Sequence, residues 1–259
     1  PGRRLLSPNR KKSAMSQGLT AVYLRELIIV KRRFKRMVSS MAVSPLLYLL
    51  AFSYAMGDAV RFEGFTYTEF LIPGLMAMSS MIQSFAIATD INVARFYWFI
   101  FEEFQTAPIS NAAYVSGEVL AGMTRALLSV AVILLLSLLF GVNLYYGPLL
   151  WLALLLNSFV FASLAVALAM LVKSHADQSM LTSFVITPMA FLGGTFFPVE
   201  RLPEWTQPIL YVLPLSHAAE ATRAVAFGKT PDWQAFAILA IVGLFCFFLA
   251  LNTVNKARD

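Results

Sequence analysis

The sequence has little of what soluble enzymes use for chemistry. It holds one cysteine, Cys246, and two histidines, His175 and His217. A single cysteine excludes an intrachain disulfide and a cysteine-based metal site within these 259 residues. Charge is also scarce, since Asp, Glu, Lys and Arg make up 13% of the residues and are absent between positions 126 and 172.

That charge-free stretch is long enough to cross a membrane twice. One crossing needs about 20 apolar residues, and here 47 residues are interrupted only by GVNLYYGP at 141–148. Apolar residues make up 59% of the chain, and the mean hydropathy is +0.71. A transmembrane barrel shows short alternating segments instead of long apolar runs. The sequence therefore predicts an all-α integral membrane protein.

Positive charge is concentrated at the start of the chain. Residues 1–36 carry 11 Lys and Arg and one acid, Glu26, whereas the remainder carries 9 basic and 13 acidic residues. Beside an apolar run, such a cluster is expected to anchor the chain on anionic lipid at the cytoplasmic face. We expect membrane lipids as partners, no nucleic acid, and location in the cell inner (plasma) membrane.

Periodicity divides the chain into three parts. Residues 1–16 are predicted to be a disordered basic arm, and residues 37–259 a domain of six membrane spans. Residues 17–36 predict an amphipathic interface helix. Its apolar stripe is Leu19, Val22, Tyr23, Leu27 and Val30, with Arg25 and Glu26 off that face. The expected spans are 37–57, 69–89, 115–140, 149–172, 178–197 and 233–254.

The charge bias orients these spans. With the N-terminus inside, the inner side holds 15 Lys and Arg, and the outer loops hold four, namely Arg61, Arg201, Arg223 and Lys229. Cytoplasmic loops carry the excess of positive charge in membrane proteins. Both termini are therefore predicted to be cytoplasmic.

Two segments do not fit a plain bundle. Residues 92–108 are rich in aromatic side chains and include Glu102 and Glu103. This composition predicts a short helix along the cytoplasmic surface. Residues 198–228 are too apolar for a solvated loop and are broken by Pro208 and Pro214. A re-entrant pair of short helices in the outer leaflet satisfies both properties.

These two segments resemble the ABC-2 type transport permeases. Residues 101–110, FEEFQTAPIS, are similar to that family's Glu-Glu-Leu-Leu-x-x-Pro element. Residues 191–225 resemble its Gly-Gly-x-Phe-[Phe/Tyr]-Pro, Leu-Pro and Leu-Pro-[Leu/Ile] series. The family often has Arg-Glu-x-Gly before the Glu pair, where this chain has FYWFI preceded by Arg95.

The resemblance implies a homodimer or pseudo-dimer of six-helix subunits with two ATPase subunits beneath it. The complex would export an amphipathic substrate such as a glycan, lipid-linked glycan, lipid or drug. Nothing here matches the phosphate-binding motif GxxxxGK[ST]. We therefore expect no catalytic residue, metal or cofactor in this chain, with ATP and Mg on the ATPase partner.

Candidate site residues fall into two groups. An ATPase-coupling role is expected for Arg95, Phe101, Glu102, Glu103, Thr106 and Pro108. Pathway or interface roles are expected for Glu118, Arg125, Gly193, Gly194, Phe196, Phe197, Tyr211, His217 and Glu220. Each has a plainer alternative: the Glu pair and Glu118 as solvated charges, the aromatic residues as an interfacial belt, and residues 198–225 as a static plug instead of an outer gate.

Two other functions compete with export. An intramembrane enzyme needs a nucleophile facing a base, but Ser216 and His217 are adjacent, and neighbours on a helix do not face each other. A secondary transporter or channel often shows inverted repeats and buried coupling acids. No internal repeat is visible in the sequence.

The topology is testable by cysteine labelling. In a Cys246→Ser background, a cysteine at Lys173 should react only with reagent that reaches the cytoplasm, and one at Lys229 only with external reagent. The charge bias sets this expectation. The opposite labelling pattern would overturn the orientation.

Overall fold

The fold is described by a computed structural model that covers residues 8–56, 60–62, 64–98 and 109–258. Helices dominate these residues, with one two-stranded hairpin of β1 (Arg61–Phe62) and β2 (Phe65–Thr66) in which Arg61 pairs with Thr66. The helices are α1 (Pro8–Met56), α2 (Tyr67–Phe85), α3 (Ile87–Phe96), α4 (Asn111–Leu139), α5 (Pro148–Leu171), α6 (His175–Leu181), α7 (Thr187–Leu192), α8 (Gln207–Tyr211), α9 (Pro214–Ala226) and α10 (Trp233–Arg258).

Five helical segments of the described chain are long and apolar enough to cross a membrane. They are Ser16–Met56, Tyr67–Phe96, Asn111–Leu139, Pro148–Leu171 and Trp233–Ala257. Helix α5 packs against α2, α4, α9 and α10. The protein is therefore a multi-pass membrane protein of the all-α class, with α5 at the centre of its packing.

Helix boundaries follow from local capping. Thr66 and Glu69 form a capping box at the start of α2, in which the Thr66 amide donates to Glu69 Oε2 over 2.7 Å. Ser110 caps α4 by accepting from the amide of Ala113. Helix α5 begins with Pro148, which needs no partner for an amide hydrogen at a helix N-terminus.

Helix α1 differs from the expected arm, interface helix and separate first span. Residues 8–16, expected to be disordered, form its first turns, and the helix continues without a break to Met56. No Gly or Pro occurs between residues 19 and 44, and Lys and Arg are good helix formers. The interface segment and the first span are therefore one helix.

The expected fifth span, 178–197, is helical from 175 to 192 but is not among the five segments above. A π-helix over Thr182–Ile186 joins α6 to α7. Thr187 donates from both its amide and its hydroxyl to the carbonyl of Thr182. Pro188 has no amide hydrogen to continue the regular ladder, which favours such a local widening.

Contacts divide the described loops between two ends of the bundle. At one end, Asn111 at the start of α4 donates to Asn255 near the end of α10. At the other end, the Tyr145 amide donates to the carbonyl of Ala226 (3.1 Å), and Phe65 stacks on Phe227. The loops assigned to the outside by sequence therefore meet at one end.

The segment after α7 is held against α2 by close backbone contact. Gly74 lies on α2, and a Cβ added there would be 2.5 Å from the carbonyl oxygen of Thr195. The Tyr67 hydroxyl donates to the carbonyl of Phe196 over 2.9 Å. Only glycine at position 74 allows the two backbones to come this close.

Gly74→Ala should therefore destabilise the protein despite the higher helix propensity of alanine. Overpacking against a backbone atom costs about 1–3 kcal/mol. The matched control is Gly243→Ala, where the nearest atoms belong to the movable ring of Phe159. The thermal unfolding midpoint in detergent should fall clearly more for Gly74→Ala; equal midpoints would contradict this packing.

Candidate functional site

Five charged side chains meet where α1, α3 and α4 pack together. Arg25 Nη2 lies 2.6 Å from Glu26 Oε1 and 2.9 Å from Glu118 Oε1. Arg125 Nη2 lies 3.1 Å from Glu26 Oε2, and Arg125 Nη1 also contacts Asp90 Oδ2. We call this group the charge cluster. It joins three helices that are distant in sequence.

The centre of the charge cluster is shielded from solvent. Glu26 is 2% exposed and Glu118 is 1% exposed, and Arg125 is also buried. Asp90 and Arg25 are partly exposed at its edge. Buried charges are tolerated only when they are paired. Among the described residues, Glu118 Oε2 and Arg125 Nε have no hydrogen-bond partner, so the pairing is incomplete.

A glycine on α4 allows α1 to approach closely enough to form the charge cluster. A Cβ added at Gly117 would lie 2.7 Å from Val22 Cγ1. Beside this contact, the hydroxyls of Tyr23 and Thr124 are 2.8 Å apart. The two helices therefore touch along the turns that bring Glu26 to Arg125.

A small cavity opens beside the charge cluster. Its volume is about 210 Å³, and its lining residues are Arg25, Glu26, Ile29, Arg32, Arg33, Asp90, Ala94 and Trp98. The basic run that predicted the cytoplasmic anchor thus borders the same cavity. Solvent reaches the charge cluster from this side.

Glu118 and Arg125, both predicted as pathway or interface residues, lie on α4, but neither is the other's partner. Glu118 pairs with Arg25, and Arg125 pairs with Glu26 and Asp90. Sequence analysis missed Glu26, which it placed off the buried face of α1. The signal was present, because Glu26 is the only acid among residues 1–36 and lies four residues after the buried Val22.

Of the predicted ATPase-coupling residues, only Arg95 is among those that the structure describes. This side chain, near the end of α3, donates to the backbone carbonyl of Ala169 on α5. Its guanidinium also lies 5.0 Å from the ring centre of Phe96. Phe101, Glu102, Glu103, Thr106 and Pro108 lie outside the described residues.

The predicted outer residues are grouped around the segment after α7. Gly194 has a φ of 75°, a conformation that favours glycine. Gly193 approaches Leu215 of α9, since an added Cβ would lie 2.7 Å from that side chain. His217 Nε2 hydrogen-bonds to the carbonyl of Tyr211 over 2.7 Å. Phe197, Tyr211 and Glu220 are exposed.

Phe196 does not belong with the exposed aromatic residues. It is 1% exposed and lies against Tyr48 and Phe52 of α1, with ring centres 5.1 and 5.2 Å away. Its ring also stacks on Phe191. Phe196 is therefore a core residue that binds the segment after α7 to α1, and Phe197 is its exposed neighbour.

The described residues offer no metal site, since no group of three His, Cys, Asp or Glu side chains is close enough to hold an ion. His217, Glu220 and Arg223 all lie on α9. Arg223 donates to the carbonyl of Gly194 over 2.7 Å.

Comparison with known proteins decides the family. The sequence profile of the ABC-2 type transporters matches residues 17–227. The chain belongs to the ABC-2 type transporter family. The match begins before the charge cluster and ends after α9, so both groups of candidate residues lie within it.

Several curated relatives of this family align along nearly the full chain. The daunorubicin resistance ABC transporter permease protein DrrB1 of Streptomyces coeruleorubidus is 25% identical over 96% of this chain and 89% of its own length. The inner membrane transport permease YadH of Escherichia coli is 25% identical, over 93% and 95% respectively. Nodulation protein J of Sinorhizobium fredii is 27% identical, over 91% and 92%.

ABC-2 permeases normally work with an ATPase subunit, and the DrrB1 relative is named as an ABC transporter permease protein. The charge cluster lies in the part of the permease that adjoins the predicted ATPase-coupling segment, because α3 ends at Phe96.

The charge cluster generates a stability prediction. Arg125→Gln leaves Glu26 and Glu118 buried with one cation between them, and breaking a buried ion pair costs about 3–5 kcal/mol. The midpoint of thermal unfolding in detergent should fall by several degrees. Glu26→Gln combined with Arg125→Gln should recover part of that loss, with a coupling of about 0.5–3 kcal/mol.

The control is Arg36→Gln, which removes an exposed arginine from the same basic region. Its effect should stay within about 0.5 kcal/mol. Additive effects of the Glu26 and Arg125 substitutions would contradict a direct interaction between these side chains.

Proposed function

We propose that this permease is the membrane subunit of an ABC exporter that moves an amphipathic substrate outward. Two copies would form the pathway, with two ATPase subunits holding ATP and Mg on the cytoplasmic side. The substrate classes are those expected from the sequence: a glycan, a lipid-linked glycan, a lipid or a drug. One relative's name refers to daunorubicin resistance, which supports including drugs.

The observation that carries this proposal is the attachment of α3. This helix leads directly into the predicted ATPase-coupling segment. Asp90 ties it to Arg125 on α4, Arg95 ties it to Ala169 on α5, and Asn92 donates to Gln178 of α6 over 3.1 Å. A displacement of the coupling segment would therefore be transmitted through polar contacts to α4, α5 and α6.

The ends of the bundle at which α5 finishes and at which the segment after α7 lies support six crossings and cytoplasmic termini. Helix α5 finishes at the end where Arg95 lies, whereas the segment after α7 contacts Arg223 and Tyr67 at the opposite end. The helical stretch 175–192 lies between them, and 18 residues extend about 27 Å. We propose this stretch as the sixth crossing, in an inner membrane with both termini cytoplasmic.

We also propose that residues 198–225, within the predicted re-entrant segment 198–228, form an outer gate. Two short helices, α8 and α9, occur there, with Pro208 and Pro214 in their first turns. They follow α7 closely, so that movement of α7 would carry them. A static plug at the dimer interface is the alternative.

The proposal is tested by reconstituting the permease with its ATPase subunit in liposomes. A panel of glycans, lipids and drugs should include at least one compound that stimulates vanadate-sensitive ATP hydrolysis and is itself moved across the bilayer. Glu102→Lys with Glu103→Lys should leave ATP hydrolysis but abolish this movement, because reversed charges disrupt the proposed contact with the ATPase.

The matched control reverses two exposed acids at the opposite end, Glu204→Lys with Asp232→Lys, and should transport normally. Normal transport by the Glu102 and Glu103 double variant would refute the coupling role. Absence of any ATP-dependent movement with the whole panel would refute export.

A further inference from the structure

A second cavity lies at the end of the bundle opposite the charge cluster. Its volume is about 420 Å³, within the range of small-molecule sites. It is lined by residues from five separate segments of the chain: Arg61, Phe62, Phe70, Pro198, Arg201, Glu220, Arg223, Ala224, Phe227 and Lys229. We call it the basic cavity. Its lining residues between Pro198 and Ala224 belong to the proposed outer gate.

The basic cavity gathers all four Lys and Arg residues that sequence analysis assigned to the outer loops. Arg61 comes from β1, Arg201 from the 3₁₀ helix Val199–Arg201, Arg223 from α9 and Lys229 from the turn after it. Glu220 is the one acid among its described lining residues. Several like charges around a low-dielectric recess concentrate ions of the opposite sign. The recess therefore favours an anion.

The walls of the basic cavity include aromatic rings, and contacts with these rings and with the backbone hold its arginine side chains in place. The Arg223 guanidinium lies 3.8 Å from the ring centre of Phe70 while it donates to the carbonyl of Gly194. Arg201 lies 5.7 Å from the ring centre of Phe62, and the Phe62 and Phe70 rings are 4.6 Å apart. The cations thus sit beside apolar surface, not in a wholly polar groove.

We propose that the basic cavity binds a phosphate-class anion, and that its aromatic wall contacts the apolar part of the molecule when an amphiphile carries that anion. Arginine suits this ligand because its guanidinium matches phosphate geometry. The inference rests on the proposed function, which it deepens: it names the charged group that would be met at the outer end of the pathway. The group belongs either to a bilayer phospholipid or to a free phosphate compound.

The test measures binding on the full chain, purified in a neutral detergent without the ATPase subunit. The probes are short-chain phosphatidylglycerol, short-chain phosphatidylcholine of equal chain length, and inorganic pyrophosphate. The test variant combines Arg61→Gln, Arg201→Gln and Lys229→Gln, three exposed positions. Arg223 is retained because it also holds the backbone of Gly194.

Wild-type protein should bind phosphatidylglycerol more tightly than phosphatidylcholine. The triple variant should lose about tenfold or more of its affinity for phosphatidylglycerol, since each cation near an anionic lipid contributes on the order of 1 kcal/mol. The control removes two exposed cations at the other end that lie outside the basic cluster of residues 1–36, Lys173→Gln and Lys256→Gln, and should change that affinity less than about threefold.

Competition separates the two sources of the anion. If pyrophosphate displaces phosphatidylglycerol, the phosphate group alone is recognised; if it does not, while the triple variant still loses affinity, the lipid headgroup is recognised together with its chains. Equal phosphatidylglycerol binding by wild type and the triple variant, or equal loss in the control, would overturn the proposal.

A second variant tests the same site independently, in case the triple variant fails to fold. Lys229→Glu changes one exposed side chain in the turn after α9 and should weaken binding in the same direction, with an unchanged thermal midpoint in the absence of lipid. Unchanged binding would overturn the basic cavity as the site. Because no ATP hydrolysis or transport is measured, failure of the export proposal would leave a positive binding result standing.

Discussion

The structure depends on the need to neutralise charge that has been removed from water. Glu26, Glu118 and Arg125 are buried where α1, α3 and α4 meet, and an isolated buried charge would be far more costly than the apolar contacts around it could offset. The three helices must therefore approach together. This requirement explains why Gly117 is needed beside Val22.

The opposite end is fastened by a different kind of interaction. There Arg223 and the Tyr67 hydroxyl donate to backbone carbonyls of residues 194 and 196, so that a segment without regular structure is bound to α2 and α9. Phe196 fills the aromatic core behind it. Asn157 on α5 joins the two regions, since it donates to the Ala77 carbonyl and to Ser80 on α2.

This division matches what a transporter subunit requires. Close backbone packing of the kind found at the outer end moves as a body. The charge cluster adjoins the segment expected to contact the ATPase, and the closely packed region adjoins the basic cavity. Under the export proposal, movement would begin at the charge cluster and reach the outer end through α5 and α7.

The membrane class, most of the crossing segments and the family could be predicted from the sequence alone, because apolar runs, charge bias and short motifs are local properties. The sequence also indicated Glu118 and Arg125, since charges within an apolar helix are conspicuous. Their partners Arg25, Glu26 and Asp90, the burial of Phe196, and the gathering of Arg61, Arg201, Arg223 and Lys229 around one cavity were decided only by tertiary structure. Each of these features depends on which helices pack together. That packing is set by contacts between residues up to about 150 positions apart, such as Phe70 and Arg223. No local sequence pattern encodes such contacts.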